Sequence, residues 1–102
     1  MLTRIVKLHF APQHVEDFLQ YFDTINQAVN TFPGCRGMKL LHDKNNPCIV
    51  FTYSLWESDA ALEAYRKSPV FQEIWPKIKL WFDQKAEAWS VITYFDGFEI
   101  VR

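Results

Sequence analysis

The chain has 102 residues, enough for one domain around one hydrophobic core and too few for a second. Its formal net charge is -1 and its Lys and Arg are scattered, so it has no basic stripe to meet a phosphate backbone or an anionic membrane surface, and neither nucleic acid nor membrane is expected as a partner. The composition is 49% hydrophobic and 17% aromatic; rings bury large areas, so a single small core has little room for this many, and the excess points to a subunit interface or a ring-lined pocket.

Residues 2–10 (LTRIVKLHF) alternate, with Leu2, Arg4, Val6, Leu8 and Phe10 on one face and Thr3, Ile5, Lys7 and His9 on the other, which predicts a strand. That alternation is unlike the continuous apolar run of a leader, and no stretch approaches the length of a membrane span, so a cytoplasmic location is expected. Pro12 suits the first turn of a helix, where a missing N–H costs nothing. Val15, Phe18, Leu19, Phe22, Ile25 and Val29 then recur at spacings of three and four, with Glu16, Asp17, Gln20, Asp23 and Gln27 outside the stripe, as in an amphipathic helix. Phe32-Pro33-Gly34 ends it.

Residues 35–42 (CRGMKLLH) and 48–56 (CIVFTYSLW) read as strands joined by the turn-rich connector DKNNP. Cys35 and Cys48 form no C-x-x-C pair and are expected as reduced thiols. Ser58 is an N-cap candidate with Asp59 in the first turn, and Ala61, Leu62 and Tyr65 make the inner side of a short helix. Ser68-Pro69 opens a further helix whose apolar face runs through Phe71, Ile74, Trp75, Ile78, Trp81 and Phe82. Pro76 inside it has no N–H for the Gln72 carbonyl, which predicts a kink. Residues 88–95 (AWSVITYF) alternate as a last strand, and Asp96-Gly97 followed by FEIV predicts a short hairpin or a tail, giving a core of about 3–95 within a single domain of 1–102.

The order of elements is that of the ferredoxin-like β-α-β-β-α-β fold, an α+β class with an antiparallel sheet covered by helices on one face. If Val50, Thr52, Ser54 and Trp56 point one way, Ile49, Phe51, Tyr53 and Leu55 point the other, and both sets are bulky. Two apolar faces need two covers, so a homodimer packed sheet to sheet is expected.

Glycines stand only at 34, 37 and 97, which builds no phosphate cradle, and His9, His14 and His42 have no metal-ligand spacing; neither a cofactor nor a metal is expected. The topology instead gathers Thr52 and Trp56 from a strand, Leu62 and Tyr65 from the short helix, and Phe71 and Trp75 from the next. These residues read either as plain core or as a slot. The Tyr O–H, Trp N–H and Thr hydroxyl favour a slot, because buried donors require partners and an apolar cleft with a few convergent donors suits a flat aromatic ligand.

FPGC at 32–35, FTYSLWESDAALEAYRKSPVF at 51–71 and a final strand after Trp89 together resemble the antibiotic biosynthesis monooxygenase domain family, the dimeric α+β barrel proteins, over roughly residues 3–95. The resemblance implies a dimer through the sheets, a pocket between sheet and helices, and oxygen insertion into quinol- or anthrone-like aromatics without metal or flavin. In the anthrone-oxidising branch Trp56 matches the strand Trp, while Thr52 and Leu62 stand where that branch has Asn and Tyr. At the positions of the haem-degrading branch the chain has Val6, Tyr65 and Trp75, with no axial His, and where the quinol-oxidising branch tends to carry His it has Tyr65 and Val70. The expectation is a monooxygenase acting on a small aromatic, with Trp56 and Thr52 orienting substrate or oxygen and Tyr65 donating to an oxyanion. His42 is the candidate base, as a side chain that titrates near working pH. The alternatives are a dimeric binder of a small hydrophobic metabolite or quinone in the same slot, and a dimer whose core is filled.

Overall fold

The structure is a computed structural model and describes residues 1–98. Strand β1 (Leu2–Phe10) leads through a single 3-10 turn at Pro12–His14 into α1 (Val15–Asn30). Strands β2 (Cys35–His42) and β3 (Ile49–Trp56) follow, then α2 (Asp59–Arg66), α3 (Pro69–Lys79) and β4 (Phe82–Val91). The sheet runs β2-β3-β1-β4 with every neighbouring pair antiparallel, the ferredoxin-like α+β arrangement.

Alternation in the strands decides which residues meet the helices. Leu2 lies opposite Trp56, Arg4 opposite Ser54, Val6 opposite Thr52 and Leu8 opposite Val50, so these pairs share the helix-covered face. The apolar stripe of α1 lands on them: Phe18 and Val29 are buried in one cluster with Leu8, Phe10, Val50, Ile74 and Ile78. A second cluster of Leu2, Trp56 and Leu62 closes the end beneath α2.

Local chemistry sets the helix starts. The Ser58 hydroxyl accepts the Ala61 N–H at 3.1 Å and opens α2, and the Ser68 hydroxyl accepts the Phe71 N–H at 3.2 Å to open α3. Ser68 also donates to the Tyr65 carbonyl at 2.7 Å, which ties the end of α2 to the start of α3. Between α1 and β2 the chain turns at Gly34, whose φ of 89° a side-chain-bearing residue rarely adopts; its carbonyl accepts the Glu57 N–H at 2.9 Å.

The expected positions hold except at the end of the chain. Helix α3 runs past Pro76 and stops at Lys79, so Trp81 and Phe82 lie beyond it. The Trp81 N–H returns to the Ile78 carbonyl and the Trp81 carbonyl accepts the Ala11 N–H, both bonds turning the chain toward the sheet. Strand β4 therefore begins at Phe82, opposite Phe10, and spans 82–91 where 88–95 was expected. It ends at Val91 because its neighbour runs out: Val91 pairs with Thr3, one residue from the start of β1. Ile92, Tyr94, Phe95 and Phe98 beyond it are largely exposed. The hairpin expected over FEIV falls mostly on residues outside those described.

The other sheet face bears no helix. Ile5, Phe51, Tyr53 and Leu55 sit side by side on it through the β1–β3 register, with Trp89 beside Ile5 and Leu41 beside Phe51. Trp89 is 45% exposed and Leu41 43%. No helix among the described residues is long and apolar enough to cross a membrane.

Candidate functional site

A cavity of about 420 Å³ lies between the sheet and the helices. Its floor is the helix-covered face of β1 and β3, with Val6, Leu8, Thr52 and Ser54; Phe18, Phe22 and Ile25 of α1 form one side, and α2 and α3 form the other. It stays open because β4 contributes only Ala86 and Ala88 to the floor, Ala88 being opposite Val6. Larger side chains there would fill the space, as they do where Phe82 and Phe10 meet with ring centroids 5.3 Å apart.

One wall is a run of aromatic rings. Trp56 stacks on Tyr65 at 5.1 Å, Tyr65 meets Phe71 edge-on at 5.3 Å, and Phe71 stacks on Trp75 at 5.7 Å with the planes 13° apart. This places Trp56 on β3, Tyr65 on α2, and Phe71 and Trp75 one helical turn apart on α3 along the same surface. Thr52 and Leu62 line the cavity with them. His42 does not: it is exposed at the end of β2, opposite Val50, and is absent from the cavity wall.

The donors in the wall differ in availability. Trp56 is 1% exposed and its indole N–H donates to the Ser54 hydroxyl at 2.9 Å, so its one hydrogen bond is already made within the protein. Burial, followed by the neighbouring Cys35, pushes the Tyr65 phenol up to about 12. Tyr65 is thus a neutral O–H donor across the physiological range and not a base.

Two charged residues share the cavity wall, Arg4 from β1 and Arg66 from α2, and among the described residues no Asp, Glu, His or Lys lines it. Arg4 is partly buried and donates to the Ser90 hydroxyl at 2.9 Å; Arg66 is exposed and bonds Glu63 at 3.3 Å. Burial first, then the Arg66 charge, hold the Arg4 guanidinium below its ordinary value, with Glu63 acting the other way. Neither arginine was expected in the site, although Arg4 is visibly the one charged residue in the otherwise apolar row Leu2, Arg4, Val6, Leu8, Phe10. Ser54 was also missed as the partner of Trp56. His9 and His14 engage Asp83 and Asp17 at 3.0 and 2.9 Å, away from the cavity, and among the described residues no three potential metal ligands converge.

The fold and the cavity define an α+β domain of ferredoxin-like topology with a ring-walled slot beneath its helices. The chain belongs to the antibiotic biosynthesis monooxygenase family, whose model matches residues 1–76. Its fold is similar to the crystal structure of an antibiotic biosynthesis monooxygenase, with a TM-score of 0.85 and 19% identity over 91% of this chain and 98% of that one. It is also similar to a conserved protein from Methanosarcina mazei Go1, with a TM-score of 0.83 and 22% identity over 89% of this chain and 91% of that one. Rv0793 from Mycobacterium tuberculosis superposes with a TM-score of 0.84 at 14% identity, over 94% of this chain and 97% of that one. No protein of curated function matches the sequence.

Proposed function

We propose that the protein is a cofactor-independent monooxygenase that oxidises a small quinol- or anthrone-like aromatic in the slot between sheet and helices. Family membership supports the reaction class, and the observation that carries the reading is the continuous ring wall from Trp56 to Trp75 with a protonated Tyr65 set into it. A flat substrate stacks along that wall beside Thr52 and Leu62. Loss of a proton makes it an electron-rich anion that reacts directly with O2. For an anthrone, the ring CH2 becomes a carbonyl: one oxygen atom enters the product, the other leaves as water, and the substrate supplies all the electrons. The Tyr65 O–H donates to the developing oxyanion, a preorganised donor in a water-poor site. Trp56, with its N–H held by Ser54, serves as a rigid stacking face.

The working unit in this reading is a cytoplasmic homodimer, each sheet covering the other's face through Ile5, Phe51, Tyr53, Leu55 and Trp89. That face is apolar and unroofed in one protomer, and the free thiols Cys35 and Cys48 suit a reducing compartment.

Oxygen uptake on a panel of hydroquinones and anthrones tests the reaction. Tyr65→Phe keeps the ring and removes the donor, so turnover should fall by about 100-fold with little change in KM. Uptake that Tyr65→Phe and Trp56→Phe leave unchanged would remove both residues from the mechanism. A second reading, a non-catalytic binder of a hydrophobic metabolite or quinone, is favoured by the lack of a carboxylate, His or Lys in the described cavity wall. Tight retention of a quinone with no oxygen consumption by any phenol would establish it.

A further inference from the structure

The cavity is apolar along its rings and cationic at one side. Arg4 reaches it from near the start of β1 and Arg66 from the last turn of α2, and no other charged side chain among the described residues lines it. A guanidinium carries five N–H donors, and for Arg4 the described side-chain partner is one neutral hydroxyl, that of Ser90. No carboxylate pairs with Arg4 among the described residues; the nearby Glu63 is bonded to Arg66.

A partly buried cation with no carboxylate bonded to it, its neighbour Glu63 being engaged by Arg66, is poorly compensated, and a chain that needed only a structural plug on this face would place another aliphatic in the row of Leu2, Val6 and Leu8. The cost is recovered when an anion arrives, because a guanidinium presents two parallel N–H donors to a carboxylate and strong donors to any oxyanion. The Ser90 contact steadies the fork: Ser90 is opposite Arg4 in the β1–β4 register, so the side chain is held across the strand pair at the cavity's edge.

We propose that Arg4, steadied by Ser90 and seconded by Arg66, makes this cavity selective for flat aromatic ligands that carry an anionic oxygen, a carboxylate or a phenolate. The inference names the substrate class of the slot assigned above and rests on that assignment of the site, though not on the site being catalytic. It also supplies what the cavity wall lacks. Where that oxygen is a phenolate, two guanidiniums that favour the ionised ligand let it enter with its proton already given to solvent, as the species that reacts with O2; a carboxylate would only be anchored.

Quenching of tryptophan fluorescence reports occupancy, since Trp56 and Trp75 line the cavity. Two pairs of probes separate charge from shape: 1-naphthoate against 1-naphthylmethanol, and 4-nitro-1-naphthol, ionised at neutral pH, against its methyl ether. At least one anion should bind about tenfold or more tightly than its neutral partner, with a preference that shrinks as salt rises. Arg4→Gln should abolish the preference and leave the neutral probes unchanged, and Arg66→Gln should reduce it less because Arg66 is exposed. A preference confined to the first pair assigns a carboxylate, and one confined to the second assigns a phenolate. Equal binding within both pairs, failure of every probe to bind, or an Arg4→Gln variant that weakens neutral and anionic probes alike would overturn the proposal. Oxygen uptake separates this outcome from the enzymatic reading: anion selectivity lost on Arg4→Gln in a protein that consumes no oxygen leaves the inference standing and the monooxygenase reading fallen. Uptake on neutral quinols without any anion preference does the reverse.

Discussion

Tyr65 lies between Trp56 and Phe71 and also contacts Phe32, with ring centroids 5.3 Å apart, so three rings exclude water from much of its phenol. Its pKa in the folded chain, about 12, is above the ordinary value of 10.0, chiefly through burial. A raised value means that its contribution to stability is whole below pH 10, where both states are protonated, and is lost as pH climbs toward 12, because the unfolded chain ionises first. Urea denaturation at about pH 9 and about pH 11.5 should show the wild type losing about 2 kcal/mol more than Tyr65→Phe over that interval. Equal losses in the two proteins would place the phenol in water. The same property gives Tyr65 its proposed part in catalysis, since a donor that ionised near neutrality would repel the oxyanion it is meant to hold.

At the scale of the element, the turn from α1 to β2 leaves no room for a side chain at Gly34. A methyl group on Gly34 would lie 2.6 Å from the Ala61 Cβ, in a backbone conformation at φ 89° that side-chain-bearing residues rarely take. Gly34→Ala should therefore destabilise the fold by about 3 kcal/mol, strain and overlap together, measured by chemical or thermal denaturation. A loss below about 1 kcal/mol would mean that the turn and α2 shift freely. This turn, α1 and the starts of α2 and α3 were legible because each depends on neighbours in sequence: a stripe at three-and-four spacing, Phe-Pro-Gly, Ser58 before helix formers, and Ser68-Pro69. Strand β4 was legible only in part. As an edge strand exposed along most of its length, it carries DQKAEA in its first half, residues with neither strand alternation nor strand propensity, while Trp81 and Phe82 continue the apolar spacing of α3. The apolar run Ile92 to Phe95 looks like strand and is not, because β1 offers it no partner. The ring wall was legible because Trp56, Tyr65, Phe71 and Trp75 follow from same-face spacing on their own elements. The surroundings of Arg4 were not, since they depend on Ala88 and Ser90 arriving beside it from the far end of the chain.

For the whole molecule, the sheet is covered on one side only. Ile5, Phe51, Tyr53 and Leu55 with Trp89 form an apolar row across three strands of that side, and the proposed dimer is centred on Phe51 and Tyr53. Phe51→Glu would place a charge in that centre, where desolvation without a partner costs several kcal/mol. Sedimentation equilibrium should then show a monomer for Phe51→Glu and a dimer for the wild type, while the variant keeps the helical circular dichroism of the folded chain. A wild type that sediments as a monomer would leave this face for another use.

The pair Ala86 and Ala88 has a bearing on how such a protein changes its diet. The ring wall and the arginines are anchored in β1, β3 and the helices, whose packing is shared with the core, but the floor at β4 is two methyl groups on an exposed edge. Room at the floor therefore depends on β4, while the ring wall stands on β3 and the helices. Under the proposed reading, larger side chains at these two positions would narrow the range of ligands admitted while the ring wall keeps its chemistry.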